Sequence, residues 1–139
     1  MAAEPYIDIT DPAYWQELAS YDLRDAGNLM LRGRYYLAGL KCYKAIENSL
    51  CGYYVRDNLA NTLPAVVNLS DFAASVGLLE RLSTAEGQLF GQLQPFKDAA
   101  QSLQAKQALE QEYDSEDIVI LIARTRACLT AIYSLPNVE

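Results

Sequence analysis

Residues 15–54 read WQELASYDLRDAGNLMLRGRYYLAGLKCYKAIENSLCGYY, and the spacing within this stretch decides the fold. Trp15, Leu18, Ala19, Asp22, Ala26, Leu29 and Met30 recur in steps of three and four, the period that puts side chains on one face of an α-helix. Asp11-Pro12 just upstream supplies an N-cap and a first-turn proline, and Gly33 suits a C-terminal cap. Asp22 falls inside the apolar stripe, so it needs a polar partner wherever the helix is buried. A second helix is predicted over residues 35–58. Cys42, Tyr43, Ile46, Leu50, Tyr53 and Tyr54 share one of its sides, and Leu40 and Val55 widen that side. A helix apolar on so much of its circumference belongs at the centre of a bundle.

Outward from this pair, residues 61–64 break the pattern, and a short helix is expected over 70–76, closed by Gly77. Ser83 and Glu86 have capping-box spacing ahead of a helix carrying Leu89, Phe90, Leu93 and Phe96. Pro95 either kinks that helix or separates two. Residues 99–109 favour helix by propensity but have a weakly apolar face. The last helix is the plainest. Asp114 is its expected N-cap, Glu116 and Asp117 complement the positive end of its dipole, and Ile118, Leu121, Ile122, Thr125, Leu129 and Ile132 mark its inner side. No segment alternates with period two, and no repeat of 20–50 residues is present. The expectation is an all-α antiparallel up-and-down bundle of about five helices, with a flexible arm at residues 1–10 and a single domain over 11–139.

Composition limits the function. A chain of 139 residues suits one hydrophobic core. No apolar run approaches the roughly 20 residues of a membrane helix, so no membrane role is expected. Net charge is −7, which disfavours nucleic-acid binding. Residues 20–60 nevertheless hold six basic and four acidic side chains, and a local basic face requires Arg32, Arg34, Lys41 and Lys44 to gather together. The odd set of Cys42, Cys51 and Cys128, without a signal peptide, points to a reducing cytoplasm and to buried small thiols. No phosphate-binding glycine fingerprint and no metal-ligand spacing is present, so neither metal nor cofactor is expected. Histidine is absent, which removes every mechanism using an imidazole base, acid or ligand.

The order of motifs resembles the HEPN domains. Asp22-Leu23 on the first helix, Gly33-Arg34-Tyr35 at the turn, and Ala45-Ile46-Glu47 before Leu50 are similar to that family's pattern. Pro64 followed by Val66-Val67-Asn68-Leu69, then Gly77-Leu78, Leu82-Ser83 and Leu93-Gln94-Pro95-Phe96, continues it through Ile132. The chain departs from the family at informative places. Tyr43 stands where many members have His before the helix-two Lys, Val67 replaces another His, and Ala100-Gln101-Ser102 occupies the place of an Arg-Tyr-Pro. The ribonuclease branch needs an Arg and a downstream His. Arg124 and Arg126 have no such base, and an ordinary phenol such as Tyr133 is a poor one at neutral pH.

The resemblance therefore implies a non-catalytic module that binds a nucleotide-type ligand or a partner protein such as a nucleotidyltransferase, as a homodimer. The candidate contacts are Asp22, Tyr43, Lys44, Glu47 and Tyr54. Structural roles compete with each of them. Asp22 can pair with a base on a neighbouring helix, Lys44 and Glu47 at i and i+3 can pair with each other, and the five tyrosines of helix two can fill a core edge or an interface rather than stack on bases. The rival readings are a homodimeric scaffold with no small ligand, and an enzyme of unknown type using Asp, Glu, Lys or Tyr. The dimer expectation rests on helix two being apolar or aromatic on more than one side.

Overall fold

The computed structural model describes residues 10–58 and 68–136. The expected arm, the break at 61–64 and the motif running from Pro64 to Val67 lie outside the described residues, apart from Thr10. All regular elements among the described residues are helical: α1 (Pro12–Leu31), α2 (Tyr35–Asn58), α3 (Leu69–Ser75), α4 (Thr84–Asp98), α5 (Leu103–Glu112) and α6 (Ser115–Tyr133), with 3-10 turns at Leu79–Arg81 and Ala99–Gln101. The described residues form an all-helical bundle of six helices, where about five were expected. α2 is its axis and touches α1, α3, α4, α5 and α6.

Local chemistry starts and stops these helices largely as their residues dictate. The Asp11 carboxylate accepts from the Ala13 N–H at 2.9 Å, with Pro12 in the first turn. At the other end of α1, Gly33 takes φ +74°, its N–H donates to Met30 O, and the Arg34 N–H donates to Leu29 O. This left-handed cap turns the chain back within three residues and fixes α1 and α2 as an antiparallel hairpin. Asp114 and Asp117 form a reciprocal capping box at α6. The box expected at Ser83 does not form. Ser83 is the N-cap of α4, but its hydroxyl donates to the Glu86 carboxylate instead of capping the backbone.

Pro95 lies inside α4, which continues three residues beyond it. The carbonyl it leaves without a donor belongs to Gly91, an exposed residue where water can replace the lost bond. The true break comes at residues 99–102. Ser102 then caps α5 by accepting from the Ala105 N–H at 3.1 Å.

Two different seams hold α2. Toward α1, small residues recur at sevens: Ala19 and Ala26 on α1, and Ala38, Ala45 and Gly52 on α2, all of them buried. A Cβ on Gly52 would stand 3.0 Å from the Trp15 Cβ, so the two helices approach closely at this end of the seam. Toward α4 and α5 the seam is aromatic. Gly39 leaves room for the Phe96 ring, which stacks on Tyr36 at 6.2 Å and tilts against Tyr113 at 5.1 Å. The core is continuous from Ala19 and Leu23 through Tyr43, Ile46 and Leu50 to Phe90, Leu121 and Ile132, with a satellite cluster of Trp15, Cys51 and Val55. Each fully buried large apolar side chain contributes roughly 1.5–3 kcal/mol.

Candidate functional site

Asp22 sits in the middle of the small-residue seam. On α1 it follows Trp15 and Ala19 and precedes Ala26. Opposite it on α2, Lys41 and Asn48 alternate with Ala38, Ala45 and Gly52. The Asn48 amide donates to Asp22 Oδ2 at 2.6 Å. Lys41 Nζ lies 3.8 Å from Asp22 Oδ1 and 3.5 Å from Asp25 Oδ2. Only 13% of the Asp22 side chain is exposed, against 50% for Asp25. Burial pushes the Asp22 carboxyl above the usual carboxylate range, while the Asn48 hydrogen bond and the charges of Lys41 and Lys44 hold it down. A partly buried polar pair among small apolar residues fixes the register of two helices, because sliding the seam would leave the carboxylate without a donor.

Beside this pair a groove of about 330 Å³ opens between α1 and α2, lined by Asp25, Asn28, Leu29, Arg32 and Lys41. Lys41 joins it to Asp22. The groove presents two cations, two amide or carboxylate side chains and one apolar wall. The expected partner of Asp22, a base on the neighbouring helix, is therefore Lys41.

The remaining candidates do not converge on this place. Tyr43 is buried on the far side of α2, where Lys97 Nζ lies 5.4 Å from its ring centre. Burial, and then the Glu47 charge, push its phenol up to about 12, with the Gln94 side chain opposing. Glu47 pairs with Lys97 at 3.5 Å. The surface pair expected between Lys44 and Glu47 is not formed, because Glu47 turns toward α4 while Lys44 is exposed near Asp22. Tyr54 is half-buried against Phe72 of α3, with ring centres 6.3 Å apart. The five candidates thus occupy three places around α2.

The tyrosine-rich character of α2 is a core property. Tyr36, Tyr43 and Tyr53 are buried, and Tyr35 and Tyr54 are half-buried. The Tyr36 hydroxyl donates to Phe96 O at 3.0 Å, and the Tyr53 hydroxyl accepts from Arg81 at 2.6 Å. No row of exposed rings is left on these five for base stacking. The basic residues also divide. Arg32 and Lys41 line the α1–α2 groove, whereas Arg34 lines another with Tyr36, Lys106 and Glu110.

All three cysteines are buried and free. Burial pushes Cys42 up to about 11 and Cys51 and Cys128 up to about 12, so they are thiols at neutral pH and poor nucleophiles. Among the described residues, no group of three or more Asp, Glu or Cys side chains gathers in a metal-binding arrangement. No described helix is long and apolar enough to cross a membrane.

Sequence reasoning named Arg32 and Lys41 only for a basic face and missed Asp25 and Asn28 as members of the groove, as well as Asn48 as the donor to Asp22. The signal for Asn48 was present but faint: Lys41 and Asn48 are seven apart and interleave with Ala38, Ala45 and Gly52. It also missed Glu110. From α5 this carboxylate accepts the Tyr35 N–H at 3.1 Å and the Tyr36 N–H at 2.6 Å, capping α2 from 75 residues away. Comparison with protein-family models, curated proteins and solved structures finds no match to this chain.

Proposed function

We propose that the chain is a non-catalytic, HEPN-like binding module whose α1–α2 groove takes a nucleotide-type ligand. One observation carries this reading. Lys41 is held between Asp22 and Asp25 at the edge of a groove that also contains Arg32 and Asn28. Arg32 and Lys41 suit a phosphate, and Asp25 and Asn28 suit the hydroxyl and amino groups of a nucleoside. A binding role fits better than catalysis because the chain has no histidine and its thiols are protonated. Three buried free cysteines also fit a reducing compartment such as the cytoplasm.

The test is a thermal-shift panel of ATP, other nucleotides, short RNA and metal ions. A ligand at a hundredfold excess over Kd adds about 2.7 kcal/mol, which raises the midpoint of a domain this size by several degrees. The expected result is a shift with a nucleotide that is lost in Arg32→Gln and Lys41→Gln. A flat panel would overturn the ligand reading in favour of a scaffold.

The second reading is docking to a protein, either another copy or a nucleotidyltransferase. The aromatic sides of α2 no longer speak for it, because they are buried within the chain itself. Its support is the outer side of α6, where Val119 and Ile120 are each about half exposed. Light scattering that reports a monomer at high micromolar concentration would remove the homodimer.

A further inference from the structure

A third groove, of about 420 Å³, lies on the other side of α1, against α6. Arg24 enters it from α1 and Arg126 from α6, with Ser20, Thr130 and Tyr133 around them. Neither guanidinium forms an ion pair with a carboxylate among the described residues, and no acid lines the groove. Arg24 stacks over the Tyr21 ring at 4.8 Å, which holds its side chain against α1. In a chain of net charge −7, two arginines from different helices facing one acid-free groove form a local exception.

We infer that this groove binds the phosphate of a small phosphate monoester whose organic part carries hydroxyl groups. The two guanidiniums supply the fork geometry and permanent charge that a phosphate dianion needs. The nearby hydroxyls have a different task. Ser20 donates to Gln16 O and Thr130 donates to Arg126 O, each at 3.1 Å, so their protons are committed to their own helices. Their oxygens remain acceptors and suit hydroxyl donors on the ligand, not the phosphate. Leu23, Leu129 and the Tyr133 ring give the groove an apolar wall for the carbon skeleton. The Tyr133 hydroxyl is itself buried and has no hydrogen-bond partner among the described residues, so this wall retains an unused polar group. The site is separate from the α1–α2 groove and does not depend on it, since Arg32 and Lys41 take no part.

The experiment titrates the full chain with inorganic phosphate, ribose 5-phosphate and uncharged ribose, following arginine side-chain N–H signals by NMR. Both phosphates are expected to move the Arg24 and Arg126 signals, ribose 5-phosphate at lower concentration than inorganic phosphate, and ribose alone not at all. Arg24→Gln or Arg126→Gln should each weaken binding at this groove about tenfold, the loss of one charge-assisted contact, and the double variant should abolish the shifts of the Ser20 and Thr130 amides. Both residues are exposed, so the variants should fold, and their amide spectra check this directly. Arg32→Gln should leave this binding unchanged. Phosphate that fails to move the Arg24 and Arg126 signals, or amide shifts at Ser20 and Thr130 that persist in the double variant, would overturn the assignment. Equal loss in Arg32→Gln would overturn it as well, by assigning the phosphate to the other groove.

Discussion

The two seams of α2 use opposite means of holding a helix in place. Facing α1, alanines and Gly52 bring the backbones close, and Asp22, Lys41 and Asn48 mark the register with polar contacts. Facing α4 and α5, Gly39 admits the Phe96 ring, and the register is set by shape. A polar seam can exchange one partner for another because each contact is individually modest. A shape-matched seam cannot, because close-packed atoms have nowhere to go. The groove beside Asp25 and Lys41 opens on the polar seam, whereas the Phe96 ring fills the space over Gly39 on the aromatic one.

The strongest way to break the comparison is Gly39→Ala. The new Cβ would overlap the Phe96 ring, well inside contact distance. Overpacking of this kind costs roughly 1–3 kcal/mol even though alanine favours helix. A urea midpoint equal to or above that of the wild type would show that the aromatic seam is not rigid. Recovery in a Gly39→Ala, Phe96→Leu double variant would sharpen the point.

Next comes Glu110→Ala, which removes the acceptor for two N-terminal amides of α2. The expected loss is about 1–2 kcal/mol, the upper range for a helix cap. Hydrogen exchange should quicken at Tyr35 and Tyr36 before the rest of α2. Unchanged protection there would sink the capping role.

On the polar seam, Asp22→Ala leaves the Asn48 amide and Lys41 without their shared acceptor and should cost about 1 kcal/mol by chemical denaturation. A loss as large as that of Gly39→Ala would erase the distinction between the seams. Glu47→Gln breaks a partly exposed pair with Lys97 and should cost a few tenths of a kcal/mol. If Glu47 contacts a ligand, the same variant also loses binding, by more than its small cost in stability explains.

The smallest effect is a slope. Folding raises the Asp22 carboxyl above its ordinary 3.8, so the folded state holds that proton more tightly than the unfolded chain. Its stabilising contribution is complete below 3.8 and is lost as pH rises through the raised folded value. The wild type minus Asp22→Asn stability difference should therefore fall across that window and level off above it. A difference that rises with pH would mean the ion pair with Lys41 outweighs burial.

Much of this was legible in the order of residues. The period of α1, α2 and α6, the caps at Asp11, Gly33 and Asp114, and the need of Asp22 for a partner all follow from interactions spanning a few residues. Those interactions are the same in any fold that contains the segment. The candidate site was less legible. Lys44 and Glu47 are neighbours on one helix, yet Glu47 turns to Lys97 of α4, 50 residues away, and Tyr43 faces α4 rather than Asp22.

The sequence by itself therefore determined most of the helices, the caps at Asp11, Gly33 and Asp114, and the all-helical class, because helix formation and local capping are settled within a turn or two of chain. Only the tertiary structure decided the rest. It made Lys41 and Asn48 the partners of Asp22, gave α2 a cap from Glu110, buried three of the five α2 tyrosines and put Arg24 and Arg126 on the lining of one groove. Each of these depends on which helices become neighbours. That choice is made by fitting side-chain volumes together across the whole core, a sum that no short stretch of sequence contains.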